Sequence, residues 1–311
     1  MRFNPKSRLD TSRVGDGGSG GGGGGGPMRI PLPGGTRAGG GIGGLVIIIL
    51  FVVLTQCTGG GLPGGTGSGT GIDPQGGGTD ASRMDDSERY ANCKTGADAN
   101  EDEDCARVAV ENSLVDYWTK TLPEQGGMEL QPATLRTFSG AVNTGCGEAS
   151  SQVGPFYCPP DQRIYLDTTF FRDVLEQQLG GEGGDFVEPY VIGHEYGHHI
   201  QNLMGTMGQV RTQQGANSDA VRLELQADCY AGMWTSYAED SELITLDDGD
   251  IAEALDSAKA VGDDRIQQKS GQGVDPEGWT HGSSEQRMAW FTKGYEEGTL
   301  EACDTFSASQ L

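Results

Sequence analysis

The sequence predicts an α+β fold: a mostly helical domain with a small sheet, preceded by a single transmembrane helix and Gly-rich linkers. Three observations lead there. Apolar residues in the last two-thirds of the chain recur at helical spacing over several long segments, with short strand-like runs between them. One stretch near the front, Leu45–Leu54, is apolar without interruption. Glycine also crowds the front: of 53 in the 311 residues, 28 precede residue 79.

Taken in order, residues 1–41 form a basic, Gly-rich arm. It carries Arg2, Lys6, Arg8, Arg13, Arg29 and Arg37 against Asp10 and Asp16. Residues 42–57 follow as the expected anchor. Counting from Gly39, about nineteen residues carry no charge, just enough for a helix to span a bilayer. A buried strand is the alternative for so Val/Ile-rich a run, and a cleaved signal peptide another. Against the second, no Ala-x-Ala site follows and the preceding arm is long. The charge changes sign across this stretch, and the whole chain stands at −24. The arm is therefore expected in the cytoplasm and the acidic bulk outside, which makes this a single-pass protein of the cell membrane with an extracytoplasmic domain. Residues 58–84 are a second Gly-rich linker, too poor in apolar side chains to fold. The folded domain is expected over 85–311.

Within that domain, Val108, Val115, Trp118 and Leu122 share one face of a helix over Cys105–Leu122. Arg163–Leu166 reads as a short strand and Thr168–Leu179 as a helix. Pro189 near the first turn and Gly205 past the end bracket the next helix. Asn217–Glu239 is a long helix and Ile251–Ala260 a shorter one. The last starts at Ser283, where Ser283-Ser-Glu-Gln286 has the form of a capping box. The acidic run Asp98–Asp104 lacks the glycine and the final glutamate of a calcium loop, and reads as a solvated loop.

Composition excludes two functions. An acidic chain has no surface to displace phosphate counterions, so nucleic acid is not a partner. A single apolar stretch cannot build a transporter. Apart from Cys57, the cysteines are Cys93, Cys105, Cys146, Cys158, Cys229 and Cys303. An even number outside the cytoplasm suggests three disulfides; fifteen connectivities are open, and pairs of sequence neighbours are the simplest. A cysteine zinc cluster is disfavoured, since no Cys-x-x-Cys pair occurs.

The chemistry concentrates in Val191-Ile-Gly-His-Glu-Tyr-Gly-His-His-Ile200. His194 and His198 are four apart, so on a helix their rings project from one face and can share a metal ion. Glu195 stands beside the first, within reach of a water on that metal. Histidines merely satisfied in a core are the bland alternative. Three of only four histidines crowd into six positions here, which argues against it. His199 points away from this face and reads as structural. A catalytic zinc needs a third protein ligand and an open position. Glu224 is the best candidate, with Asp228 one turn on along the same face. Both are bordered by Val221, Leu225, Cys229 and Gly232, so both are expected buried. Glu224 on the metal and Asp228 holding a ligand imidazole from behind account for both. Ala227, Ala231 and Gly232 leave room for a second helix to approach closely.

His194-Glu-Tyr-Gly-His198 followed by Glu224-Leu-Gln-Ala-Asp228 resembles the arrangement of gluzincin metallopeptidases. More closely, the chain is similar to the bacterial family of predicted neutral zinc metallopeptidases. The shared stretches are Met1–Pro5, Tyr157–Asp167, Val191–Gly205, Arg222–Gly232 and Thr280–Arg287. The resemblance implies a zincin-like domain with one catalytic Zn2+ and a peptide or protein substrate. It also implies that Arg163–Leu166 is an edge strand beside the cleft, where an extended substrate pairs by its main chain.

The expected function is hydrolysis of a peptide bond through a zinc-bound water, with Glu195 as general base. His281, at the entry to the final helix, is the candidate to steady the oxyanion; capping that helix is its alternative role, and Tyr196 and Tyr165 are weaker options. The competing reading is a membrane-tethered binding or scaffold domain with a structural zinc. That site needs a fourth protein ligand, for which His199 and His281 are the imidazoles left.

Overall fold

In a computed structural model of the chain, the described residues are 1–19, 88–150, 153–241, 243–271 and 273–311. The main sheet has four strands in the order β2 (Val14–Ser19), β3 (Thr134–Ser139), β7 (Arg163–Asp167), β6 (Phe156–Cys158). The first three run parallel and β6 antiparallel, with Leu135 opposite Ile164 and Tyr157 also opposite Ile164. Two smaller sheets flank it. One pairs β1 (Arg2–Phe3) with β8 (Ile244–Thr245), and the other is the hairpin of β4 (Ala141–Thr144) and β5 (Gly147–Ser150).

Among the described residues, the α-helices longer than one turn are α1 (Glu103–Thr121), α2 (Val187–Leu203), α3 (Asp219–Asp240), α4 (Asp250–Ala260), α5 (Asp263–Lys269) and α6 (Ser284–Glu297). Their ends follow local chemistry. Asp102 accepts the Asp104 amide at the start of α1, and Ser218 accepts that of Val221 at the start of α3. Ser283 and Gln286 close a capping box on α6, which stops at Gly298 in the left-handed region. Phe171–Glu176 is a wider π-helical segment inside the helix expected over Thr168–Leu179. Trp118, Trp234, Tyr190 and Phe291 are among the side chains filling the core between sheet and helices.

The N-terminal segment requires a correction. It was expected to lie across a membrane from the domain; instead it is built into it. Phe3 and Val14 are buried, β1 pairs with β8, and β2 extends the main sheet. The arm's basic groups are used here. Arg2 reaches Asp247 at 2.6 Å, and Arg13 reaches Glu111 of α1 at 2.6 Å. Glu111 is buried and would be costly unpaired, so Arg13 gives the arm an electrostatic reason to dock. The Met1 ammonium bonds Asp185 at 2.8 Å and Asp250 at 3.2 Å. A single span between residues 19 and 88 cannot leave both flanks in one folded body. Among the described residues, moreover, no helix is long and apolar enough to cross a membrane. The single-pass arrangement, with its preceding transmembrane helix, cytoplasmic N-terminus and extracytoplasmic domain, is thus overturned; the stretch 42–57 itself lies outside the described residues.

Strand order corrects a second expectation. Arg163–Asp167 is not an edge: it lies between β3 and β6. Among the described residues, the edge on that side is Phe156–Cys158.

Candidate active site

Helix α2 carries His194 and His198 one turn apart, with ring centroids 4.8 Å from each other. Both are buried. The helix also carries Gly193 and Gly197, which lie against α3. A Cβ on Gly197 would stand 3.0 Å from the backbone of Ala227, and one on Gly193 would stand 3.1 Å from Trp234. Glycine at these two positions lets α3 come close enough to deliver Glu224. Its carboxylate oxygens lie 3.2 Å from His194 Nε2 and 3.5 Å from His198 Nε2. Tetrahedral ligands on zinc, at bonds of about 2.0–2.1 Å, stand roughly 3.3 Å apart. The spacing fits that ion.

The far side of each ring is also engaged. His194 Nδ1 faces Asp228 Oδ1 at 2.8 Å, and His198 Nδ1 faces Gln201 Oε1 at 2.8 Å. An acceptor behind each Nδ1 keeps a proton there, so that Nε2, on the side of Glu224, is the nitrogen a metal ion would take. Asp228, completely buried, also accepts from Tyr190 Oη at 2.6 Å and from Arg287 at 2.8 and 2.9 Å. Burial works to raise its pKa, but Arg287 and His194 outweigh that and bring it down to about 2.

The other groups respond to the same crowding. Burial works against a charged His194, yet Asp228 and Glu224 lift its pKa to about 10. Glu224 moves the opposite way, well below the ordinary range, because His198 and His194 overcome its burial. Glu195 is different. Burial pushes its carboxyl above the ordinary range, although His198, His194 and the Tyr157 backbone N–H hold it back. That N–H belongs to β6, so the sheet edge faces the glutamate.

His281 is buried on the loop before α6, close to Glu224. Asp263 fixes the loop. Its Oδ2 accepts the amides of Thr280, His281 and Gly282 at 2.7, 2.6 and 3.0 Å, and its Oδ1 lies 3.4 Å from His281 Nδ1. The remaining candidates are placed elsewhere. His199 is held by Tyr157 Oη at 2.9 Å and the Gln131 carbonyl at 2.5 Å, Tyr196 is packed in the core against the His199 ring, and Tyr165 Oη donates to Asp161 at 2.7 Å.

Among the described residues, His194, His198 and Glu224 form a group whose donor atoms all lie within 4.8 Å of one another, and no fourth member joins it. A second group, Asp185, Asp250 and Glu253, meets the same distance test. The Met1 ammonium already sits against Asp185 and Asp250 there.

The six cysteines pair as Cys93–Cys105, Cys146–Cys158 and Cys229–Cys303. The last two bear on the site, since Cys158 ends β6 and Cys229 follows Asp228. Sequence reasoning did not single out Gln201, Tyr190, Asp263 or Arg287. Gln201, three residues after His198 on the same helix face, was the one with a readable signal.

Two imidazoles from α2 and a carboxylate from α3, with a separate buried glutamate beside them, have the donor set and spacing of the zinc metallopeptidase class. The chain belongs to the family described as "Putative neutral zinc metallopeptidase", whose sequence profile matches residues 3–306. It is 52% identical over 228 residues to the uncharacterized protein Rv2575 of Mycobacterium tuberculosis, covering 70% of this chain and 76% of that one. It is 43% identical over 200 residues to the uncharacterized protein YpfJ of Escherichia coli, covering 62% of this chain and 68% of that one. No solved structure matches it.

Proposed function

We propose that the protein hydrolyses peptide bonds in peptides or proteins, with His194, His198 and Glu224 holding one zinc ion and Glu195 acting as general base. The observation that carries this reading is a donor group of three with a buried glutamate, next in the chain to one of the donors, that belongs to none of the three. A structural zinc has no use for that glutamate and asks for a fourth protein ligand. Of the imidazoles left for that role, His199 is tied to Tyr157 and Gln131. The chemistry a bound zinc ion supplies here is Lewis acidity, towards water and towards a carbonyl oxygen.

The chain's own residues do the rest. Glu195 takes a proton from the attacking water and passes it to the leaving amine. Asp228, kept ionised chiefly by Arg287, orients the His194 ring. His281, held on its loop by Asp263, donates towards the negative charge that develops on the carbonyl oxygen through Nε2–H when Nδ1 accepts from Thr280 Oγ1, 3.0 Å away. The β6 edge, Phe156–Cys158, receives an extended substrate beside Glu195 through main-chain hydrogen bonds.

The test uses the full-length protein loaded with zinc, an unstructured protein as substrate, and a Glu195→Gln variant shown to hold the same zinc. The variant should lose at least about 100-fold in cleavage rate, the lower end for a general base. Equal cleavage by both would reject Glu195 as the base. Zinc bound by both with cleavage by neither would favour the scaffold reading.

A further inference from the structure

Behind His198 runs a line of hydrogen bonds that ends in the C-terminal tail. Its order is His198 Nδ1 to Gln201 Oε1 at 2.8 Å, Gln201 Nε2 to Gln226 Oε1 at 3.1 Å, and Gln226 Nε2 to the Cys303 carbonyl at 3.1 Å. Gln201 Nε2 also donates to the Leu223 carbonyl at 2.7 Å. His198, Gln201, Gln226 and Cys303 are all buried, so water offers none of them a substitute partner.

Direction is imposed from the far end. A peptide carbonyl can only accept, so Cys303 obliges Gln226 to turn its NH2 outward and its oxygen inward. That oxygen, with the Leu223 carbonyl, obliges Gln201 to present its NH2 to both. The Gln201 oxygen must then face His198, which can satisfy it only with Nδ1–H. The Cys229–Cys303 disulfide ties the start of the line to α3, and Thr305 Oγ1 holds the tail by donating to the Arg222 carbonyl at 2.6 Å.

We propose that Gln201 and Gln226 are positioning residues: a one-way amide relay, set by the Cys303 carbonyl, that presents the His198 Nε2 lone pair to the zinc ion. The inference rests on the zinc site proposed above. It gives the two imidazoles different supports. His194 is held by a carboxylate neutralised by Arg287, and His198 by a neutral line without a titrating group. It also gives the C-terminal tail a part in metal binding, though none of its side chains belongs to the donor group.

Zinc affinity is the readout, measured on the full-length protein by competition with a chromophoric chelator, with the thermal midpoint of the metal-free form recorded alongside. Gln201→Leu, which removes the acceptor, should weaken zinc binding by roughly 10–100-fold, the usual effect of losing a partner behind a ligand. Gln201→Glu keeps an oxygen towards His198 but loses the two amide donations. It should be less stable than the parent, yet bind zinc nearly as well. Gln226→Leu, one step further away, should show a smaller loss than Gln201→Leu. A purely structural role predicts that affinity follows thermal stability, with Gln201→Glu as impaired as Gln201→Leu; that result, or parent-like binding by Gln201→Leu and Gln226→Leu, overturns the relay. Should the parent bind no zinc, or His198→Ala bind it as the parent does, the zinc site falls and the relay with it.

Discussion

Asp228 and Arg287 are both buried, and each is tolerable there because of the other. His194 and Tyr190 complete the carboxylate's shell. His199, next to the ligand pair in the chain, shows how far one helical step changes a residue's role. Burial lowers its pKa to about 4, against a small opposing effect of the Gln131 carbonyl, so it stays neutral in the fold. Its folded pKa lies below the unfolded value of 6.5, so the unfolded chain binds more protons between pH 6.5 and 4. This residue's contribution to stability is therefore complete above that window and lost as pH falls through it. The loss should reach about 3 kcal/mol. Urea unfolding of the metal-free protein across the window should show a weaker pH dependence for His199→Gln, which keeps a donor and an acceptor without titrating. An unchanged slope would mean that His199 is not held neutral.

The helix pair α3–α6 shows what elements contribute. A Cβ on Gly294 would sit 1.9 Å from the Cys229 carbonyl oxygen, and one on Gly232 would sit 2.1 Å from that of Phe291. The two helices thus meet backbone to backbone. That contact brings Arg287 to Asp228, which shares its face of α3 with Glu224. Gly294→Ala must push the helices apart, at about 1–3 kcal/mol for overpacking. The displacement should also weaken zinc binding, since both carboxylates ride on α3. A chelator titration beside a thermal melt checks this; a variant equal to the parent in both would show that the crossing tolerates a side chain. Helices were the readable elements because capping residues and apolar spacing are local signals. Val14–Ser19 was not readable as a strand: its residues, Val-Gly-Asp-Gly-Gly-Ser, offer no alternation, and β3 supplies the pairing.

Across the whole molecule, distant parts of the chain are tied together covalently and by charge. Cys229 and Cys303 are 74 residues apart, against 12 for each of the other pairs. Closing the longer loop removes more freedom from the unfolded chain, about 4 kcal/mol compared with about 3 for a short one. Replacing Cys229 and Cys303 together should therefore destabilise more than replacing Cys93 and Cys105. The first replacement should also reduce zinc affinity, and the second should not. Denaturant midpoints and chelator competition on both double variants test the ordering, and the reverse order would reject it. The N-terminal segment is tied in by charge, through Met1, Arg2 and Arg13.

The candidate ligands on α2 were legible because a metal site built on one helix writes itself as a four-residue spacing. Glu224 and Asp228 were legible for the same reason, as a second four-residue spacing bordered by apolar residues. Arg287, Asp263 and the Gln226–Cys303 link were not, because each meets its partner across tens of residues, and no local pattern records which helix faces will touch. The reading of the arm failed for a related reason. A basic, glycine-rich segment before an apolar run looks the same whether its arginines stay in water or reach Glu111 and Asp247. Tertiary packing decided between the two, because a buried carboxylate must find a cation and the arm supplied one.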